Sequence, residues 1–153
     1  MKVRVLKEED YNKLKSLKLK DIDYLEIHAE DSETPTDLLI EESCRESRKV
    51  FGVFIDDKLE GVFGVSDGDC HGKVGIPWLL CSEKVNMRKL RLMREAKAMV
   101  GYFKSIYEVL VNIVHKDNLE SHKFLKSLGF SFCEGYKKIG KESFIQFYQY
   151  REE

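Results

Sequence analysis

The stretch from Glu108 to Phe130 constrains the fold more than any other part of the chain. Its β-branched run, Val109–Val114, predicts a strand, and the apolar residues at helical spacing that follow predict a helix. The side chain of Asp117 or Asn118 can cap that helix by accepting a free backbone N–H group of its first turn. Gly129 comes next, at the place where a left-handed residue commonly ends a helix. The stretch therefore predicts a strand–helix unit.

Length and composition favour one globular domain over residues 1–153. A chain of this size buries about 70% of its extended surface, and 42% hydrophobic with 35% charged residues is typical of a soluble protein. The net charge of −1 gives no bias toward nucleic acid or other polyanions. No apolar run approaches the roughly 20 residues of a membrane span, and the charged N-terminus does not fit a secretory signal peptide. We therefore expect neither a membrane nor a nucleic-acid partner.

The four cysteines predict neither a disulfide framework nor a metal site. They are scattered, without a C-x-x-C pair, which fits a reduced cytosolic compartment. A zinc site built on Cys70 and His71 is the alternative, but it would lack the paired ligand spacing of structural zinc. We expect no bound metal.

Periodicity along the chain predicts a mixed set of strands and helices. Val3 and Val5 alternate with charged residues and predict a first strand, which a charged helix follows from about Glu8. A further helix is expected over Asp37–Glu46, and a strongly apolar strand over Val74–Cys81. The predicted order is strand, helices, three strands, a long helix from Asn86 to about Tyr107, strand, helix and two closing antiparallel strands.

This order resembles the GNAT N-acetyltransferase fold, and one motif makes the resemblance specific. Members of the family often carry a valine, an asparagine four positions later, a small residue, and then L-G-F. The matching residues here are Val114, Asn118, Ser121, Phe124, Leu128, Gly129 and Phe130. From Trp78 to Phe130 the sequence is similar to small GNAT-like proteins of tailed bacteriophages. The resemblance implies an α+β fold whose central, mostly antiparallel mixed sheet has splayed parallel strands 4 and 5 and flanking helices.

The resemblance also implies that acetyl-CoA is the co-substrate and lies between the splayed strands, here Ile76–Cys81 and Val109–Val114. Free backbone groups of the first strand would pair with the amide arm of the coenzyme like an added strand. The start of the next helix would contact the pantetheine arm. The residues expected to bind the coenzyme in this way are Leu79, Leu80, Cys81, Asn118 and Ser121. The alternative interpretation is that Asn118 is only a helix cap, which explains its position without any ligand.

The segment Ser82–Arg91 departs from the pyrophosphate loop of the family. That loop usually reads R/Q-x-x-G-x-G/A, and its glycines let backbone N–H groups approach the phosphates at a helix N-terminus. The segment here has no glycine. Arg88, Lys89 and Arg91 are expected to bind the pyrophosphate through side-chain charge instead. The alternative interpretation is a solvated basic face on an amphipathic helix.

A second departure concerns the catalytic acid. Leu125 stands where many family members carry a tyrosine that protonates the leaving thiolate. His115 is expected near the mouth of the cleft, where an imidazole with a pKa of about 6.5 can act as acid or base; a histidine without a role is the alternative. Tyr148 is a second candidate, since it can supply a hydroxyl. Cys81 would be a nucleophile only beside a positive charge that lowers its thiol pKa, and core packing is the alternative.

Two functions follow as hypotheses. The first is an enzyme that transfers an acetyl group from acetyl-CoA to a small-molecule or protein amine in the cytoplasm. The second is a catalytically degenerate GNAT-fold protein that acts as an assembly or interaction module, in the host cytoplasm or in a phage particle. The glycine-free segment and Leu125 motivate the second hypothesis. In the family the closing strands often form a homodimer. Nucleic-acid binding through the basic helix is a third hypothesis, which the charge balance disfavours.

Overall fold

The computed structural model describes residues 1–152 of the chain. A 3-10 helix, Glu8–Ser16, follows the first strand. The remaining elements follow the predicted order, except that a short helix precedes the long one and the first of the two predicted closing strands is divided into two. The helices are α1 (Asp21–Ile27), α2 (Thr36–Glu46), α3 (Glu83–Asn86), α4 (Lys89–Ile106) and α5 (Leu119–Ser127). The strands are β1 (Lys2–Val5), β2 (Lys49–Ile55), β3 (Lys58–Asp67), β4 (Val74–Cys81), β5 (Val109–His115), β6 (Ser131–Phe132), β7 (Lys137–Ile139) and β8 (Glu142–Tyr150).

The strands form one sheet in the order β1-β2-β3-β4-β5-β8-β6, and β7 also pairs with β8. All neighbouring pairs are antiparallel except β4 and β5, which run parallel. The parallel pair needs a crossover because its strands run in the same direction, and α3 and α4 provide it. The predicted α+β fold with a mostly antiparallel mixed sheet is confirmed.

A tight turn at Asp56 and Asp57 sets the β2–β3 hairpin. Both residues have positive φ, 50° and 64°. Two successive residues of this kind form the turn that matches the twist of a hairpin, and aspartate tolerates it better than most residues. The hairpin brings β3 alongside β2 and so prepares the edge on which β4 pairs.

Alternation along the strands divides the apolar side chains between the two faces of the sheet. On one face, the core around Tyr107 and Leu110 lies under α4 and α5. On the other, the core around Leu14 and Ile40 lies under the 3-10 helix, α1 and α2. The site described below lies in the sheet between these two layers, where β4 and β5 separate.

The prediction of one helix from Asn86 is wrong in its first turns. The chain instead forms the single turn α3, bends at Met87 and Arg88, and begins α4 at Lys89. Val85 is fully buried and anchors the short turn, whereas Met87 and Leu90 are 73% and 86% exposed. Burial of Val85 fixes the direction of the segment, so that these two apolar side chains face solvent.

Among the helices of residues 1–152, none combines the length and the apolar character that crossing a bilayer requires.

Candidate functional site

The site begins where the parallel strands β4 and β5 separate. They pair at Val74 with Val109 and at Gly75 with Leu110, and then diverge as the family resemblance implies. The side chain of Asn112 crosses the closed end of the gap, and its Nδ2 donates a hydrogen bond to the carbonyl of Pro77 at 2.7 Å. Its Oδ1 accepts from the backbone N–H of the next residue, also at 2.7 Å. Asn112 therefore bridges the two strands where the backbone ladder stops.

The backbone of β4 directs alternate residues into the gap. The carbonyl of Val74 and the N–H group of Ser82 both bond the chain on the β3 side, so even-numbered positions face β3. The carbonyl of Pro77 faces the gap. Because backbone groups alternate along an antiparallel pair, those of Leu79 and Cys81 also face the gap. Leu80 turns its backbone toward β3 and contributes only its side chain to the lining of the gap.

A cavity of about 400 Å³ runs through the gap to both faces of the sheet. On the face covered by α4 and α5 its walls are largely apolar, with Met99 and Phe103 from α4 and Phe124 and Leu125 from α5. A volume of this size is in the usual range for small-molecule sites. Leu125, at the position where the resemblance expects a tyrosine, thus faces the cavity and brings no hydroxyl group to it.

Carboxylates line the opposite end of the cavity, on the α1 side. Asp23, Glu26 and Glu30 all contact it. Asp23 is only 7% exposed, and burial, partly opposed by the charge of Lys20, raises its pKa from 3.8 to about 6. The cavity therefore joins an apolar end and an acidic end through the gap between the strands.

Glu26 connects α1 to the start of α5. Its Oε1 accepts hydrogen bonds from the backbone N–H of His115 at 3.1 Å and from Nδ2 of Asn118 at 2.9 Å. Asn118 is buried, and its Oδ1 accepts from the N–H of Ser121 at 3.3 Å, which confirms the predicted helix cap. Ser121 itself lines the cavity. The two predicted residues of α5 are thus held at the edge of the gap by a carboxylate that sequence reasoning missed.

The ring nitrogens of His115 are both engaged. Nδ1 accepts a hydrogen bond from the N–H of Asp117 at 3.0 Å, and Nε2 lies 2.9 Å from a carboxylate oxygen of Glu142. A carboxylate only accepts, so Nε2 carries the proton and the ring is held as one neutral tautomer. Tyr148 lies on β8 opposite Val111. Among residues 1–152, the lining of the cavity includes neither His115 nor Tyr148, and their catalytic roles stay predictions.

The thiol of Cys81 is protonated at neutral pH. It is buried, and this burial raises its pKa to about 12. A thiolate nucleophile needs the opposite shift. The side chain of Cys81 therefore packs in the core under α4, as the alternative interpretation expected, and its backbone faces the gap.

The basic side chains expected to bind a pyrophosphate gather at the start of α4. Arg88, Lys89 and Arg91 are all exposed. Nη1 of Arg88 donates to the carbonyl of Lys84 at 3.0 Å, and Nε of Arg91 pairs with Glu95 at 3.0 Å. They form a solvated basic face at the open end of β4.

Two features of this end of β4 suit a ligand that carries amides and phosphates. The hydroxyl of Ser82 is buried, and it has no hydrogen-bond partner within residues 1–152, which costs free energy unless a ligand or water supplies one. The backbone groups of Leu79 and Cys81 are aimed at the gap, as shown above. The residues present therefore fit the amide arm of coenzyme A. The sequence analysis did not predict that Asp23, Glu26 and Asn112 lie at the gap, because no local sequence motif marks these three polar residues.

No protein-family model matches the sequence, and no curated protein matches it either. Solved structures do. The protein smu.2055 of Streptococcus mutans is similar with a TM-score of 0.75 at 17% identity, over 99% of this chain and 100% of that one. A spermidine N-acetyltransferase of Vibrio cholerae, in complex with CoA and spermine, gives 0.69 at 14% identity, over 98% and 95%. A GNAT-family acetyltransferase of Bacillus anthracis gives 0.69 at 18% identity, over 99% and 95%. This chain has the GNAT fold.

Proposed function

We propose that the protein is an N-acyltransferase that moves an acetyl group from acetyl-CoA to an amine. The observation that carries this proposal is the open stretch of β4, where the backbone of Leu79 faces the cavity and that of Cys81 faces the gap beyond it, neither bonded to backbone of β5 within residues 1–152. The amides of the pantetheine arm would pair there as an added strand does. The basic side chains of Arg88 and Lys89 lie at the open end of the same strand, where they would neutralise the pyrophosphate.

The acidic end of the cavity supports a cationic amine as the acceptor. Asp23, Glu26 and Glu30 line that end, and opposite charges attract strongly where water is partly excluded. The similar Vibrio cholerae enzyme binds spermine. We infer a small polyamine-like or lysine-like acceptor whose ammonium group lies among these carboxylates.

The chemistry is direct attack within a ternary complex. The neutral amine nitrogen forms a bond to the thioester carbonyl carbon, the bond from that carbon to sulfur then breaks, and the sulfur gains the proton that the nitrogen loses, so that the products are the amide and the free thiol of coenzyme A. Backbone N–H groups of β4 that face the gap would stabilise the developing oxyanion. With a pKa of about 6, Asp23 is ionised at neutral pH and can accept the proton that the ammonium group loses. Much of the rate would come from holding the two substrates together.

Isothermal titration calorimetry with acetyl-CoA tests the donor site. We expect saturable binding, and we expect the double variant Arg88→Ala/Lys89→Ala to weaken it about tenfold because two phosphate contacts are lost. The matched control, Arg94→Ala/Lys97→Ala, removes two exposed charges farther along the same helix and leaves binding unchanged. A folded protein that gives no heat with acetyl-CoA at high micromolar concentration would refute the proposal.

A second function is favoured by a separate observation. The coenzyme loop of the resembled family is replaced by the glycine-free turn α3, anchored by buried Val85, and Leu125 faces the cavity without a hydroxyl. These features suit a degenerate GNAT-fold protein that acts as an assembly or interaction module of a phage particle. Its presence in purified virions, together with an absence of acetyl-CoA binding, is the result expected from this alternative.

A further inference from the structure

The cavity extends past the gap into the layer between the sheet and the helices. On that side its walls are Ala96, Met99 and Phe103 of α4, Phe124 and Leu125 of α5, and Phe147 of β8. Apart from Ala96, these side chains belong to, or pack on, the apolar core of that face. Packed interiors rarely leave spaces larger than a water molecule, so an opening of this extent under two helices calls for an occupant.

The chemistry of this wall points to an apolar occupant. Glu95 is the charged residue of α4 that contacts the cavity, and Arg91 already pairs with its carboxylate. Leu125 contributes methyl groups at the position where a tyrosine of the resembled family would contribute a polar hydroxyl group. An apolar wall of this kind gains free energy when an apolar group, rather than water, covers it.

The extent of the apolar wall indicates how long an acyl group of a coenzyme thioester the cavity can hold. The cavity of about 400 Å³ also has to take the end of the pantetheine arm and the acceptor, but its apolar wall alone runs along α4 from Ala96 to Phe103, which at 1.5 Å per residue is about 10 Å and longer than an acetyl group. We propose that the donor site takes linear acyl groups longer than acetyl, with the hydrocarbon chain under α4 and α5. This inference rests on the proposed function, because the thioester must lie in the gap for its acyl chain to reach this wall.

A chain-length series tests the inference. The affinities of CoA, acetyl-CoA, butanoyl-CoA and hexanoyl-CoA are measured by calorimetry. Each buried methylene is worth about a fourfold gain in affinity, so hexanoyl-CoA should bind more than tenfold more tightly than acetyl-CoA. If acetyl-CoA binds and the longer thioesters bind no more tightly, the inference is wrong and the proposed function stands.

A substitution on α4 locates the acyl chain. Ala96→Leu fills the cavity and should reduce the gain from acetyl to hexanoyl to less than threefold, while acetyl-CoA still binds. Ala98→Leu makes the same change on the exposed face of the same helix and should leave the series unchanged. Should Ala96→Leu fail to fold, as judged by circular dichroism, Ala96→Val makes a smaller change in the same direction. A gain that survives in the folded Ala96 variant would overturn the placement.

The two failures are distinguishable. If neither CoA nor any thioester binds the folded protein, the proposed function fails and the inference fails with it. If CoA and acetyl-CoA bind but chain length has no effect, only the inference fails.

Discussion

The carboxylate of Glu26 joins two parts of the chain that are 92 positions apart. It accepts from the amide of Asn118 and from the backbone of His115, and so fixes the start of α5 against α1. A cap whose amide is also held by a carboxylate is more rigid than a cap alone. Asn118 therefore caps the N-terminus of α5 and also links α5 to α1 across the cleft.

Replacing Asn118 separates these two roles. Asn118→Ala removes the cap and the bond to Glu26, and we expect it to lower the free energy of unfolding by about 1–2 kcal/mol. Asn118→Ser keeps a capping oxygen and should lose less. Urea denaturation of the three proteins measures the difference. Equal stability of all three would contradict the argument.

Asp23 makes the stability depend on pH. Its pKa is about 6 in the folded protein and 3.8 in its ordinary state, so between these values the folded chain holds a proton that the unfolded chain has lost. Stability therefore falls as the pH rises from about 4 through 6. Asp23→Asn removes this loss, and at pH 7.5 we expect it to stabilise the protein by on the order of 2 kcal/mol.

Urea denaturation at pH 4 and at pH 7.5 tests this expectation. The stabilisation by Asp23→Asn should be present at pH 7.5 and much smaller at pH 4, where the native carboxyl is already protonated. The same stabilisation at both pH values would show that burial of the charge is not its cause.

Glu120 of α5 connects three helices at the open end of the cleft. Its carboxylate accepts from Nδ2 of Asn86, at the end of α3, and lies 3.8 Å from Nζ of Lys20, which precedes α1. This places a negative charge near the expected position of the pyrophosphate.

Removing that charge should improve coenzyme binding. Glu120→Gln keeps an acceptor for Asn86, and we expect it to lower the dissociation constant of acetyl-CoA by about two- to fivefold at low ionic strength. Calorimetry at two salt concentrations measures the effect, which should shrink in high salt. Glu46→Gln, at the exposed end of α2, is the matched control. Weaker binding by Glu120→Gln would contradict the assignment of this end to the phosphates.

The short pairing of β4 and β5 depends on a position that has room only for hydrogen. A Cβ atom added to Gly75 would lie 2.5 Å from the ring of Tyr107, which is fully buried and donates its hydroxyl to Asp67. Gly75→Ala should therefore destabilise the protein by about 1–3 kcal/mol. Gly101→Ala, on the exposed face of α4 with nothing near the added atom, should stabilise it by about 0.5–1 kcal/mol. Thermal denaturation distinguishes the two signs.

The elements that sequence could predict are those whose causes are local. The β-branched run before Asn118, the cap and Gly129 all act within a few residues, and they led to the correct strand and helix, whereas the splayed pair followed from the family resemblance. The bend at Met87 depends instead on burial of Val85 in a distant core. Asp23 and Asn112 meet the cleft only after the chain has folded, so spacing along the chain carries no trace of their partners.

The whole molecule has two cores that share one sheet, and this predicts cooperative unfolding. Val53 packs in one core and its neighbour Phe54 in the other, so strand β2 cannot lose one core and keep the other. We therefore expect one two-state transition. Fluorescence of the sole tryptophan, Trp78, reports on the second core, and its unfolding curve should coincide with that from circular dichroism. Two separate midpoints would show two folding units.

Asn112 also affects how strongly the protein tends to aggregate. Where β4 and β5 separate, β4 becomes a sheet edge inside the protein, and exposed edges recruit strands from other chains into aggregates. Pro77 has no N–H group to offer, and Asn112 occupies its carbonyl. The open edge is thereby shortened to the residues from Leu79 to Cys81, which is too short to template a foreign strand but long enough for a few amide groups.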